Sequence, residues 1–158
     1  MEAIVASVLV FVGTYTGTGS QGIYVLRFDP ATGSLQDTGL TAALTNPSFL
    51  TLSPDGRHLY AVTETAKTGD RPSGAVVAFA IDPASGALTE LNRELSGGRG
   101  PCHVSVAADG KALFVANYGS GTVSMLPIAP DGKLAPSGDT RPAEGQGPPP
   151  SRPNGPHP

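Results

Sequence analysis

Five residues offer the chemistry of a polar binding or reaction site: Glu64, Arg99, His103, Asn117 and Tyr118. An imidazole transfers protons near neutral pH. His103 is therefore a candidate base, or a donor to a bound anion. The competing reading is a histidine held by backbone hydrogen bonds. Arg99, in Gly97-Gly98-Arg99-Gly100, offers a planar fork of donors suited to phosphate, although an exposed loop arginine is the plain alternative. Asn117 and Tyr118 can hydrogen-bond a ligand, or else cap a turn and pack on its surface. Glu64 reads as a carboxylate facing solvent, or one paired with an asparagine or arginine. Lys67 and Arg71 follow it in the loop 65–73. Cys102 is expected to be a small packing residue, because no local Cys/His/Asn order supports a nucleophile. His58 follows a turn at the other end of the strands and reads as surface. No metal-ligand cluster is visible. The glycine-rich stretches lack the strand–loop–helix setting of a nucleotide site, so no metal and no cofactor is expected.

An internal repeat positions these residues. Pro47–Gly56, followed by His58–Val62, returns 54 positions later as Pro101–Gly110 and Ala112–Ala116, with Asp-Gly at the same place in each. Gly74–Pro83 returns as Gly121–Pro130, and Gly22–Pro30 is a third copy. Each unit reads as four strands: A near 48–53 and 102–107, B at 58–64 and 112–117, C at 75–81 and 122–128, D at 87–92 and near 133–136. Asp-Gly supplies the positive φ that a tight hairpin needs. Strand B is apolar at consecutive positions, which means burial on both faces. A four-stranded sheet stacked between two similar sheets has that environment, and it is a propeller blade. The fold class is therefore all-β, a β-propeller of about two and a half four-stranded antiparallel blades, with units at about 10–40, 47–95 and 101–137. The first unit begins at its B strand, Phe11–Tyr15, with no A strand before it. In such a unit, the start of A, the end of B and the start of C share one rim. Glu64, Arg99, His103, Asn117 and Tyr118 all fall there.

The remaining composition narrows the function classes. The chain has 158 residues, a net charge of −3 and no basic cluster, so nucleic-acid binding is not expected. The apolar run Ala3–Val12 is too short to span a membrane and lacks the basic start of a secretory signal. It reads as leading into a strand. A single cysteine rules out a disulfide framework within the chain and points to a reducing, cytoplasmic setting. Residues 141–158 hold seven prolines and three glycines and are expected to form an irregular tail after a domain of residues 1–140.

Phe11-Val12-Gly13-Thr14-Tyr15-Thr16, Leu52-Ser53-Pro54-Asp55-Gly56, Gly100-Pro101-Cys102-His103-Val104-Ser105-Val106 and Phe114–Gly121 resemble the seven-bladed lactonase family. That family includes the propeller-type bacterial 6-phosphogluconolactonases, and fungal carboxymuconate-cyclising enzymes share its fold. The resemblance implies hydrolysis of a sugar-phosphate lactone with water as nucleophile and without a cofactor. It makes His103 the catalytic candidate, and Arg99, Asn117, Tyr118, Glu64 and His157 substrate-binding candidates. His157 stands where the next blade opens with Gly155-Pro156-His157. A related lactone enzyme or a non-catalytic propeller scaffold are the other readings. Family members are more than twice as long, so the chain is expected to be an incomplete and inactive fragment, open to self-association through its exposed blade edges.

Overall fold

The structure is a computed structural model and describes residues 7–17, 19–145 and 156–158. Among them there is no helix, and so none long and apolar enough to cross a membrane. Eleven strands form three antiparallel sheets. Blade 1 is β1 (Val8–Val12), β2 (Gly22–Asp29) and β3 (Ser34–Ala43). Blade 2 is β4 (Leu50–Leu52), β5 (His58–Thr63), β6 (Ala75–Ile81) and β7 (Leu88–Leu95). Blade 3 is β8 (Pro101–Val106), β9 (Ala112–Asn117), β10 (Thr122–Pro127) and β11 (Asp139–Pro142). Within every sheet each strand pairs only with its neighbours in sequence. This is an up-and-down blade, and the three stacked sheets make a partial propeller.

Strand B shows why the blades stack. In β5, Leu59, Tyr60, Ala61 and Val62 are all buried. Successive side chains point to opposite faces, and here both faces are covered. Leu59 and Ala61 join Val77 and Phe79 against Ile23, Ala42 and Leu44 of blade 1 and the segment that follows it. Tyr60 and Val62 join Val76 and Ala78 against Val104, Leu113, Val115 and Leu126 of blade 3. Each fully buried side chain of this size contributes about 1.5–3 kcal/mol.

Two elements fall elsewhere than the repeat suggested. The first strand occupies Val8–Val12 rather than Phe11–Tyr15. At Gly13 the backbone lies against the Pro47 carbonyl with no room for a Cβ. Thr14 then replaces the ladder with a side-chain bond, its Oγ1 donating to the Gly22 carbonyl at 2.7 Å. The last strand lies at Asp139–Pro142, so residues 141 and 142 belong to blade 3 and not to the tail, while near 133–136 there is only an isolated antiparallel bridge from Leu134 to Ile128. At that bridge Ala135 N–H donates to the Pro127 carbonyl (2.9 Å) on one side of Leu134, and on the other the backbone of Leu134 meets blade 2: Asn92 Nδ2 donates to its carbonyl (2.7 Å), and its N–H donates to Asn92 Oδ1 (3.0 Å). Pro136 has no N–H to offer β10, and pairing resumes beyond Gly138. Of the remaining expected tail, 146–155 lies outside the described residues.

Candidate functional site on the rim

Strand register confirms the shared rim within blade 3. Asn117 ends β9 opposite Pro101 at the start of β8 and opposite Thr122 at the start of β10. Cys102 is an extra residue between the pairs Pro101–Asn117 and His103–Ala116. Such a bulge re-aims the next side chain. His103 is exposed at the strand start, and its ring packs on Phe49 of blade 2 (centroids 4.3 Å apart, tilted 47°). Cys102 is half-buried and its thiol points at the Ala116 carbonyl (3.8 Å), which suits packing.

Glu64 is the centre of a network that joins two blades. Its Oε2 accepts from the Tyr15 hydroxyl at 2.8 Å and from the Ser48 hydroxyl. Its backbone is fixed by Asn46: the Glu64 N–H donates to the Asn46 carbonyl (3.0 Å) and Asn46 Nδ2 donates to the Glu64 carbonyl (3.4 Å). Asn46 Oδ1 in turn accepts from the backbone N–H of Thr16 (2.9 Å) and from its hydroxyl (3.0 Å). This linker residue is left-handed, with φ of 45°, a conformation that asparagine tolerates better than most residues. The bond to the Glu64 carboxylate pushes the Tyr15 phenol pKa up, with burial and the negative charge adding to it. The result is a carboxylate flanked by two hydroxyls, open on one side, since Tyr15 is 61% exposed.

The other candidates separate. Arg99 is exposed and its guanidinium donates to the Gly119 carbonyl (3.2 Å). Tyr118 stacks on His157 (4.0 Å, 17°), and His157 Nδ1 lies 2.9 Å from the Tyr118 carbonyl. The segment carrying Lys67 and Arg71 lies beside them, with the Thr65 carbonyl accepting from Gly100 N–H (2.9 Å). Asn117, expected to cap a turn or to contact a ligand, lies inside the junction of blades 2 and 3 rather than on the open rim. It is fully buried, and its amide donates to the Ser96 carbonyl (3.1 Å), to Ser124 Oγ (3.2 Å) and to Thr122 Oγ1 (3.3 Å). These bonds tie the end of blade 2 to blade 3, while the Oδ1 of the same amide is buried without a hydrogen-bond partner among the described residues. His58 lines a cavity of about 490 Å³ on the opposite rim, between blades 2 and 3, with Tyr60 and Lys111. None of the rim candidates lines that cavity.

The sequence reading passed over Tyr15, Asn46 and Ser48. The repeat carried the signal for two of them. Tyr15, Glu64 and Tyr118 occupy one repeat position, and Ser48 and Cys102 another. Tyr15 and Glu64, at equivalent positions of blades 1 and 2, meet on the rim.

Residues 9–158 match the family described as "Lactonase, 7-bladed beta-propeller". The chain belongs to this lactonase family. It is 39% identical over 124 residues to the 6-phosphogluconolactonase of Bacillus subtilis, covering 78% of this chain and 34% of that protein. It is 35% identical over 125 residues to the 6-phosphogluconolactonase of Formosa agariphila, covering 78% of this chain and 35% of that protein. Among solved structures, the periplasmic gluconolactonase of Pseudomonas aeruginosa superposes with a TM-score of 0.77 at 39% identity, over 85% of this chain and 38% of that one. A Bacteroides fragilis protein provisionally assigned as a 6-phosphogluconolactonase superposes with a TM-score of 0.83 at 38% identity, over 91% of this chain and 38% of that one. The chain thus spans about a third of the length of the curated relatives it matches.

Proposed function

We propose that these three blades supply part of the rim of a lactone hydrolase, with 6-phospho-D-glucono-1,5-lactone as substrate and 6-phosphogluconate as product. In that reaction water adds to the C1 carbonyl, the bond from C1 to the ring oxygen breaks, and the ring oxygen takes up a proton. The new carboxylic acid releases one. The observation that carries the reading is the Tyr15–Glu64–Ser48 cluster, which presents one acceptor and two hydroxyls across the junction of blades 1 and 2 in a chain of this family. A polyhydroxylated ring is recognised by such a set. His103, re-aimed by its bulge and exposed on the same rim, is the proposed acceptor of the water proton. Arg99, Tyr118 and His157 are the proposed phosphate side of the rim. The proposed compartment is the cytoplasm.

A second substrate rests on a specific observation. The Arg99 guanidinium already donates to the Gly119 carbonyl, which supports unphosphorylated gluconolactone as an alternative. Acid release in a pH-stat from each lactone, freshly made, tests both. The 158-residue chain alone is expected to match the spontaneous rate. A chimera carrying residues 8–142 in place of the matching stretch of the Bacillus subtilis relative is expected to exceed it, and His103→Ala in the chimera to fall at least tenfold. A folded chimera without activity overturns the proposal. A chimera that prefers the unphosphorylated lactone moves the assignment to gluconolactone.

A further inference from the structure

Asn46 lies in the linker between β3 and β4, where blade 1 hands over to blade 2, and its φ of 45° is one that a residue with a side chain adopts at a cost. The repeat shows what this position requires. Asn46 and Gly100 stand 54 residues apart, as do Glu64 and Tyr118. Gly100 is left-handed too, with φ of 58°. In both linkers the carbonyl of this residue accepts from the first N–H beyond strand B of its blade. Glu64, after β5, donates to Asn46 at 3.0 Å, and Tyr118, after β9, donates to Gly100 at 2.9 Å. Glycine therefore satisfies the turn, and it does so without a steric cost. The asparagine side chain at 46 is not needed for the path of the chain.

What the side chain adds is a clamp across the blade junction. Its Oδ1 accepts from the Thr16 N–H (2.9 Å) and the Thr16 hydroxyl (3.0 Å), and its Nδ2 donates to the Glu64 carbonyl (3.4 Å). Thr16 is the neighbour of Tyr15, and the Tyr15 hydroxyl donates to the Glu64 carboxylate. One side chain thus holds the backbone beside both members of that pair. At the next junction Gly100 has only its own N–H for the equivalent link, donated to the Thr65 carbonyl at 2.9 Å. Asn46 makes that link as well, its N–H donating to Thr16 Oγ1 at 3.4 Å, and the three side-chain bonds come in addition.

We propose that Asn46 is a positioning residue: its side chain holds Tyr15 of blade 1 and Glu64 of blade 2 at one spacing, so that they meet the hydroxyls of a lactone ring as a preformed pair. The ligand in this proposal rests on the lactone-hydrolase reading above, whereas the clamp rests on the contacts of Asn46 alone. Tyr15 is exposed and lies beyond the end of β1, outside any strand. Left to itself, such a side chain is ordered anew at each binding event, and fixing it beforehand removes that cost. Asn46 spends its amide on Thr16 and Glu64 and acts on the ligand only through the pair. The pair faces ring hydroxyls that do not react, so its bonds count equally in the ground state and the transition state. Loosening it raises KM and leaves kcat in place.

Asn46→Gly gives blade 2 the residue that blade 3 already uses at this position, so it keeps the turn and removes the clamp. Two measurements read the result. In the 158-residue chain, with the fold checked by circular dichroism, ultraviolet titration of parent and variant is compared. The bond to Glu64 holds the Tyr15 phenol above its ordinary value, so the variant is expected to show one tyrosine ionising at lower pH. In the chimera with the Bacillus subtilis relative, the variant is expected to raise KM for the lactone at least about fivefold and to keep kcat within about twofold. A merely weakened turn would lower kcat with the amount of folded enzyme and leave KM alone. A titration curve identical to the parent's overturns the clamp, and an unchanged KM overturns its part in binding. A chimera that is inactive with Asn46 in place sinks the lactone-hydrolase reading instead, and the titration then decides the clamp by itself.

Discussion

Removing the hydroxyl of Tyr60 should reverse the order of stability of two proteins as pH rises. Tyr60 is fully buried between blades 2 and 3, and its hydroxyl donates to the Gly132 carbonyl at 3.1 Å. Burial pushes its phenol from 10.0 up to about 12, and the charges of Asp55 and Asp131 add to the effect. A pKa raised on folding gives stability that is complete below the unfolded value and lost as pH climbs through the folded one. At neutral pH, Tyr60→Phe loses one hydrogen bond, about 1 kcal/mol. Above pH 10 the unfolded phenol ionises while the folded one does not, which costs the parent about 1.4 kcal/mol per pH unit and about 2 kcal/mol by pH 12. The curves should cross near pH 10.7, and the phenylalanine protein should be the more stable by about 1 kcal/mol at pH 12. Urea unfolding of both proteins at pH 7, 9, 10.5 and 11.5, at one protein concentration, reads the difference, because the other tyrosines and the lysines are common to both. A gap that stays constant with pH would refute the reasoning, and so would a parent that remains the more stable at pH 11.5.

At the acid end, Asp29, Asp55, Asp82 and Asp131 are all held below the usual carboxylate range. Their first causes are hydrogen bonds from Thr32, Ser53, Ser85 and Lys133, with the Arg57 guanidinium also bonded to Asp55. Depressed carboxylates give stability that is present above their unfolded values and lost as pH falls through the folded ones. The melting temperature should hold down to about pH 5 and drop below pH 4, and Asp55→Asn should blunt that drop in a thermal scan. Glu64→Gln removes the main cause of the raised Tyr15 phenol, so ultraviolet titration should show one tyrosine ionising at lower pH. No change in the titration would separate Tyr15 from Glu64. Gly74→Ala places a methyl group 2.7 Å from Pro101 Cγ and 2.8 Å from the Thr63 carbonyl. Differential scanning calorimetry should find it destabilised by about 1–3 kcal/mol. An unchanged melting temperature would mean that the blade 2–blade 3 junction is looser than it looks.

The strands were legible in the sequence where packing and hydrogen bonding agree. Ala75–Ile81 and Ala112–Asn117 fall on their expected bounds because each is an interior strand flanked by partners on both sides. Misplacement came where a ladder is interrupted. Leu134 does bridge to Ile128, but Pro136 has no N–H to continue the ladder, which resumes only at Asp139 opposite Met125. Asn117 was visible as a special position, yet its partners Ser96 and Ser124 come from two blades. A linear reading cannot tell an inward amide from one facing a ligand. Glu64 had no partner within reach in sequence, since Tyr15 is 49 positions away. The contact became predictable only once the three units were overlaid.

Because every sheet is built from consecutive strands, a blade can finish its ladders as soon as its own residues have left the ribosome. Its apolar faces cannot wait on the same clock. The side of blade 2 formed by Tyr60, Val62, Val76 and Ala78 stays uncovered until Val104, Leu113, Val115 and Leu126 have been made. Successive units start 54 residues apart, so at about 5–20 residues per second that face is bare for about 3–11 s. Synthesis thus produces, once per blade, a hydrogen-bonded sheet with one sticky side. A translational pause after blade 2 has emerged and before the residues of blade 3 have followed lengthens that interval and raises the demand for chaperone cover.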